Sequence, residues 1–255
     1  MTVPEDGFTS MGDAVTPSIA AQGRRGQRQV RTLAQLIAGA RTVFARVSVA
    51  DATIAQITAE ANVGFGTFYL YFKTKEDALH AVLLEGFTPL NAQLDALLQQ
   101  AREQQQPWEE TVKDAVVAYL RFASQNRDLM QIVFAEQTRL QQVEWQVFLR
   151  FAWRMVQMVQ YAQASLAGIT PSPDVVPIPD ASTVIYPFNL LAAMMVALLN
   201  RTAIWWLRRH PEEHDQEPPS LDEAGALTAR FLIAGLTSVL TPEPQPTRKE
   251  PEYDH

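Results

Sequence analysis

Two stretches of this 255-residue chain hold residues whose types and spacing could do chemistry. His210-Pro211-Glu212-Glu213-His214 matches H-x-x-E-H letter for letter, the inverted zinc-peptidase pattern. That chemistry needs both histidines on one helical face, whereas Pro211, Pro218 and Pro219 mark a loop. The stretch is read as a solvated acidic loop, and no metal site is assigned. The second stretch is basic. From Arg24 to His80 stand Arg24, Arg25, Arg28, Arg31, Arg41, Arg46, Lys73 and Lys75 against four acids, a net charge of +4. Residues 1–23 carry −3 and residues 81–255 carry −8, so the whole-chain value of −7 hides the basic block. Such asymmetry points to contact with a polyanion through one part of the chain alone.

Other chemistries are excluded early. The chain has no cysteine, which removes disulfide scaffolds, thiol nucleophiles and thiolate metal sites. No Gly-x-Ser-x-Gly, phosphate loop or dinucleotide fingerprint occurs, so an enzyme is not expected and no cofactor is implied. The first 23 residues contain no Lys or Arg and no long apolar core, unlike a secretory signal. Val184 to Leu199 falls short of the roughly 18–20 apolar residues of a membrane span, and Pro187 and Asn189 interrupt it. A buried helix in a soluble, cytoplasmic protein is expected, with no membrane partner.

The elements that must position the basic groups are helical. Hydrophobic residues make up 47% of the chain, enough for a real core. Of 16 prolines, none lies between Pro17 and Pro89 or between Pro107 and Pro171, and long helices can run in those gaps. Strand-type alternation is hard to find, so the chain is read as all-α. Four parts follow: a disordered tail over 1–23, a basic helical domain over 24–84, a helical body over 85–241 and a disordered tail over 242–255.

Within the first block, Val30, Leu33, Ala34, Ile37, Ala40 and Phe44 keep helical spacing over about 18 residues. Thr53 and Gln56 form a capping box opening a second helix that turns Ile54, Ile57 and Ala61 inward. Ala61-Asn62-Val63-Gly64 is a tight turn in which Asn62 takes the left-handed conformation. A very short helix over 65–72 follows, and Thr74-Lys75-Glu76-Asp77 starts a fourth. Two short helices joined by a tight turn behind a longer one make a helix-turn-helix, whose second helix enters the major groove.

The run from Thr53 through Ala61-Asn62-Val63-Gly64-Phe65-Gly66-Thr67-Phe68-Tyr69-Leu70-Tyr71-Phe72-Lys73-Thr74-Lys75-Glu76 resembles the N-terminal signature of the tetracycline-repressor (TetR) family. Asn62 stands where that pattern has Gly, Thr58 where it has Ala, Gly64 where it has a Ser cap and Phe65 at an often polar position. The resemblance implies that Thr67 and Tyr69 face DNA, Tyr71 meets phosphate, and Lys75 pairs with phosphate at the start of the fourth helix. It further implies that Gly66 lets the backbone approach and that Thr53 bonds a phosphate. Phe68 and Phe72 are read as core. Gly64 caps the recognition helix, and Phe65 either touches a thymine methyl or lies partly against the first helix. Arg24, Arg25 and Arg28 form either a minor-groove arm or a solvated tail.

Helices are expected in the body over 88–104, 107–124, 127–167 (broken once), 182–209 and 220–240, the last opened by a Ser220–Glu223 capping box. Methionines and aromatics concentrate between Met130 and Tyr161, suiting a pocket for bulky apolar ligands. Met130, Phe134, Phe151, Met155, Met158, Tyr186 and Asn189 are its candidate lining. The last two helices are apolar on more than one face. By family resemblance they build a four-helix dimer interface, with Leu191, Met195, Leu198, Leu227, Phe231 and Gly235 as its candidates. The expected function is a homodimeric, ligand-inducible repressor on a palindromic double-stranded operator, answering to a small, largely apolar effector. An activator or ligand-insensitive regulator of the same fold is the alternative, and a helical interaction protein without DNA binding a remote one.

Overall fold

Capping residues and apolar spacing divide the chain into helices, and every regular element among the described residues is an α-helix. The structure is a computed structural model describing residues 23–135, 145–170, 188–208 and 219–241. The two expected tails, the loop with the two histidines and Tyr186 lie outside the described residues. The chain forms two compact units, Met1–Val82 and Leu83–His255.

In the first unit α1 spans Arg24–Asp51, α2 Ile54–Glu60, α3 Phe65–Phe68, and α4, Lys75–Gln104, begins. At 28 residues α1 is longer than its apolar spacing predicts. It starts at Arg24, so Arg25 and Arg28 ride on a helix and not on a preceding arm. Its buried face is Leu36, Ile37, Ala40, Val43 and Phe44, while Val30 and Ala34 are exposed, contrary to expectation. Spacing marks where an apolar face can lie, not where along the helix a partner meets it. Gly39 faces the end of α2 so closely that a Cβ there would stand 2.9 Å from the Ala61 backbone nitrogen and 3.0 Å from the Ile57 carbonyl oxygen.

The second unit holds the rest of α4 with α5 (Trp108–Gln125), α6 (Arg127–Ala135), α7 (Trp145–Leu166), α8 (Phe188–Leu207) and α9 (Leu221–Leu240). A break before residue 88 was expected; instead α4 runs straight through Pro89. Proline removes one helical N–H, but Pro89 and Glu85, whose carbonyl loses its donor, are both exposed to water. Helix α5 packs on α9, α7 and α8, and α7 packs on α8. Buried Tyr119 of α5 donates its hydroxyl to Asn200 of α8, and burial pushes that phenol well above its ordinary pKa. Arg154 of α7 binds Asp95 and the Asn91 carbonyl oxygen of α4.

By length and composition alone, Arg25–Asp51, Leu190–Leu207 and Leu221–Leu240 reach what a membrane span requires, which corrects the shortfall expected around 184–199. Each of the three nevertheless buries a face within its own unit. Their apolar content is that of packed helices.

Candidate nucleic-acid interface

Thr53 builds the first corner of the site. Its hydroxyl accepts from the Gln56 N–H at 3.2 Å, and the Gln56 side-chain oxygen accepts from the Thr53 N–H at 2.9 Å. This is the expected capping box, and it fixes where α2 starts. Ile57 and Ala61 are buried, and so is Thr58, whose hydroxyl donates to the Ile54 carbonyl at 3.0 Å. A threonine is therefore accommodated where the family pattern has alanine. The turn follows with Asn62 at φ 53°, and the Val63 N–H donates to the Thr58 carbonyl at 3.0 Å.

Gly64 then caps α3 without a side-chain bond. Only Phe65–Phe68 are helical, fewer than the eight residues expected. The chain continues as tight turns, with Leu70 N–H donating to Thr67 and Phe72 N–H to Phe68. Phe68 and Phe72 are buried, their centroids 5.5 Å apart. Phe65 is 55% exposed and Tyr69 53% exposed, so more than half of each side chain faces solvent. Thr67 is half-buried and Gly66 exposed.

Two residues expected at phosphates are already engaged within the fold. The half-buried Tyr71 donates its hydroxyl to the Gln29 carbonyl of α1 at 3.2 Å. Lys75 donates to the carbonyls of Ala50 and Ala52, at 2.7 and 3.1 Å, at the C-terminus of α1. These bonds went unforeseen because they join positions 42 and 25 residues apart in sequence. An ammonium has three N–H groups, so one of Lys75's remains beyond this pair. Asp77 closes the corner: its carboxylate accepts from the N–H groups of Lys73 and Thr74, and its own N–H donates to the Thr74 hydroxyl at 3.1 Å. Sequence reasoning also passed over Gly39, though an isolated glycine in an apolar helix is a recognisable sign of close packing.

A capped α2, a left-handed turn and a short α3 with an exposed polar and aromatic face form a helix-turn-helix. Residues 36–82 match the family of bacterial regulatory proteins named for tetR. That segment is a domain of the TetR type.

Over about four fifths of its length the chain shares its fold with solved structures. It is similar to the fatty acid degradation regulator FadR from Bacillus halodurans, with 19% identity, 80% of this chain and 96% of that chain covered, and a TM-score of 0.60. FadR from Bacillus subtilis, solved with stearoyl-CoA, shares 17% identity over 79% of this chain and 98% of that one, with a TM-score of 0.57. SmeT, the repressor of the Stenotrophomonas maltophilia multidrug efflux pump SmeDEF, shares 18% identity over 85% and 100%, with a TM-score of 0.55. At these identities the likeness is one of fold. No curated protein matches the chain.

In the second unit, Met130, Phe151, Met155 and Met158 are buried and Phe134 is half-buried. The Phe151 ring lies 5.4 Å from that of Tyr119. Asn189 falls in the first turn of α8. The expected interface residues divide. Leu227, Phe231 and Gly235 on α9 are exposed, and Leu191 and Leu198 on α8 are half-buried. Met195 is 2% exposed and belongs to the core of its own chain, which corrects its placement at an interface. The exposed stripe on α8 is instead Leu190, Ala193, Met194, Ala197 and Trp205. A helix apolar all round does not reveal by spacing which side turns inward.

Proposed function

We propose that the chain is a homodimeric transcriptional repressor that binds a palindromic operator through Thr53, Gly64, Phe65, Gly66, Thr67, Tyr69, Tyr71 and Lys75, and that a small, largely apolar effector releases it. The observation that carries this reading is the solvent-facing Phe65–Thr67–Tyr69 face, mounted on buried Phe68 and Phe72 within a net-positive segment. Thr67 and Tyr69 offer hydroxyls to base edges or phosphates. The second copy would seat on the exposed stripes of α8 and α9. A Cβ at Gly235 would meet nothing within 4 Å among the described residues, which leaves room for close approach by a partner.

Dimerisation would set two recognition helices about 34–36 Å apart, one turn of duplex. An effector held among Met130, Phe134, Phe151, Met155, Met158, Tyr186 and Asn189 would act by binding the DNA-incompetent state more tightly, so induction is a difference of two affinities. The stearoyl-CoA of Bacillus subtilis FadR carries a long acyl chain, an example of the ligand class proposed here. Function of this kind places the protein in the cytoplasm, with access to DNA.

The test is selection from a randomised duplex pool by the purified full-length protein. A palindrome with half-sites about 10 base pairs apart is expected. Tyr69→Ala should lose the enrichment while remaining dimeric by light scattering. A wild type that enriches nothing, or a Tyr69→Ala variant that enriches the same sequence, rejects the reading.

A further inference from the structure

Phe65 sits at the first position of the recognition helix, where residues reach base edges in a helix-turn-helix. It is a large apolar side chain left more than half in solvent, and it is not loose. Its ring meets Tyr69 edge-on, with centroids 5.8 Å apart and planes at 68°. Tyr69 in turn meets the fully buried Phe68 edge-on at 5.6 Å and 84°. Phe68 packs on Phe72 in the core. The exposed ring is therefore the outer end of a stack of four rings anchored inside the domain, and little ordering entropy remains to be lost when it meets a ligand.

Glycines flank it on both sides. Among the described residues, a Cβ at Gly66 would meet nothing within 4 Å, and one at Gly64 only the Thr67 hydroxyl, at an ordinary 3.6 Å. Internal packing does not demand glycine at either position. Together they leave the phenyl ring alone at the tip, with bare backbone on each side that can approach the floor of a groove.

We infer that Phe65 is a specificity-determining residue that selects thymine at one position of each half-site by packing on its 5-methyl group. This rests on the helix-turn-helix reading above. A phenyl ring offers no donor and no acceptor. Among the groups that base pairs present in the major groove, the thymine methyl is the one apolar feature. Against guanine, adenine or cytosine the ring would cover polar edge atoms without replacing their hydrogen bonds to water, which penalises those bases. The ring thus acts both by attraction to thymine and by rejection of the other bases. The net positive charge of the surrounding segment suits it to bring the ring to a duplex.

The methyl group can be removed without altering any hydrogen bond, because deoxyuridine is thymidine without it. The full-length wild type is first used to select a sequence from a randomised duplex pool. Each thymine of one half-site is then replaced singly by deoxyuridine, and wild type and Phe65→Ala are titrated against every duplex. Wild type is expected to lose about fourfold in affinity at one thymine, the equilibrium equivalent of burying one methyl. Phe65→Ala should bind the thymine and uracil duplexes alike at that position while still unfolding in one cooperative transition, since the ring it removes lies outside the core. Two results overturn the assignment: a wild type indifferent to uracil at every position, or a Phe65→Ala variant that keeps the fourfold preference. Failure to select any sequence is a separate outcome. It removes the DNA-binding reading itself, and the Phe65 assignment with it.

Discussion

The ammonium of Lys75, at the first position of α4, donates to the carbonyl oxygens of Ala50 and Ala52, where α1 ends. Terminal helix carbonyls lack internal partners and gather negative potential, so a cation placed there both satisfies them and complements the helix dipole. The lysine that the family pattern assigns to phosphate is thus also a clamp inside the domain. Lys75→Ala should lower stability by about 1–2 kcal/mol, the scale of a hydrogen bond to a charged group discounted for its partial exposure. Urea unfolding measures this, and a midpoint equal to the wild type's would remove the clamp. In duplex titrations the same variant should flatten the salt dependence by about one unit, through loss of one cation near phosphate.

Gly39 lets α1 approach the C-terminal end of α2. A side chain there would press on the backbone of Ala61 and Ile57, which cannot swing aside as a flexible side-chain end can. Gly39→Ala should therefore push α2 off α1 and cost about 1–3 kcal/mol, despite alanine's better helix propensity. Thermal unfolding of the variant decides it. A Tm above the wild type's would mean that helix propensity outweighs the contact.

Short-range signals carried most of what the sequence made legible. The Thr53–Gln56 and Ser220–Glu223 boxes, the left-handed Asn62 and buried Phe68 and Phe72 follow from residues within four positions of one another. What escaped depends on distance in sequence. The bonds of Lys75 to Ala50 and of Tyr71 to Gln29 span parts of the chain that no periodicity links. The sequence starts a new helix at residue 88, beside Pro89, because proline is unfavourable inside a helix, yet an exposed carbonyl can bond to water instead. Met195 was misplaced because α8 has apolar residues on every side, and burial chose the one spacing left open.

Near the end of α1, Ser48 holds φ 71° and ψ 162°, a region that suits glycine. Its hydroxyl compensates in part, donating to the Asp51 carboxylate at 3.0 Å. Ser48→Ala keeps the backbone strain and loses that bond, so it should cost about 1 kcal/mol, the scale of a lost capping side chain. Ser48→Gly loses the same bond but relieves strain of about 1–3 kcal/mol, and should unfold at or above the wild-type urea midpoint. An alanine variant as stable as the glycine variant would contradict the strained backbone.

At the start of α9, the N–H of Ser220 donates to the Glu223 carboxylate at 2.7 Å and its hydroxyl donates at 2.9 Å. These bonds, the backbone one foremost, hold the Glu223 carboxyl below its ordinary value of 4.5. A folded pKa lower than the unfolded one means that the stabilisation is complete above about pH 4.5 and is lost as pH falls through the depressed value. Glu223→Gln can still accept both bonds but cannot ionise. Its stability deficit should be constant above pH 5.5 and shrink steadily below pH 4.5, as followed by thermal unfolding from pH 6 to pH 3. A deficit independent of pH would separate the cap from the charge.

The two apolar helices make opposite demands on a methionine of α8 and a phenylalanine of α9. Phe231 on α9 is 70% exposed, while Met195 on α8 is enclosed by its own chain. If a second copy covers the α8–α9 stripes, Phe231→Glu places a charge where apolar surface would meet, and the chain should fold yet fail to pair. Light scattering should then report the 28.5 kDa mass of one chain in place of twice that mass. Met195→Glu instead puts an unpaired carboxylate into the core of one chain, and should abolish the cooperative unfolding transition whatever the oligomeric state. A Phe231→Glu protein that still weighs as a pair would move the interface off this face. A Met195→Glu protein that folds normally and only loses pairing would return Met195 to the interface, against its burial within the chain.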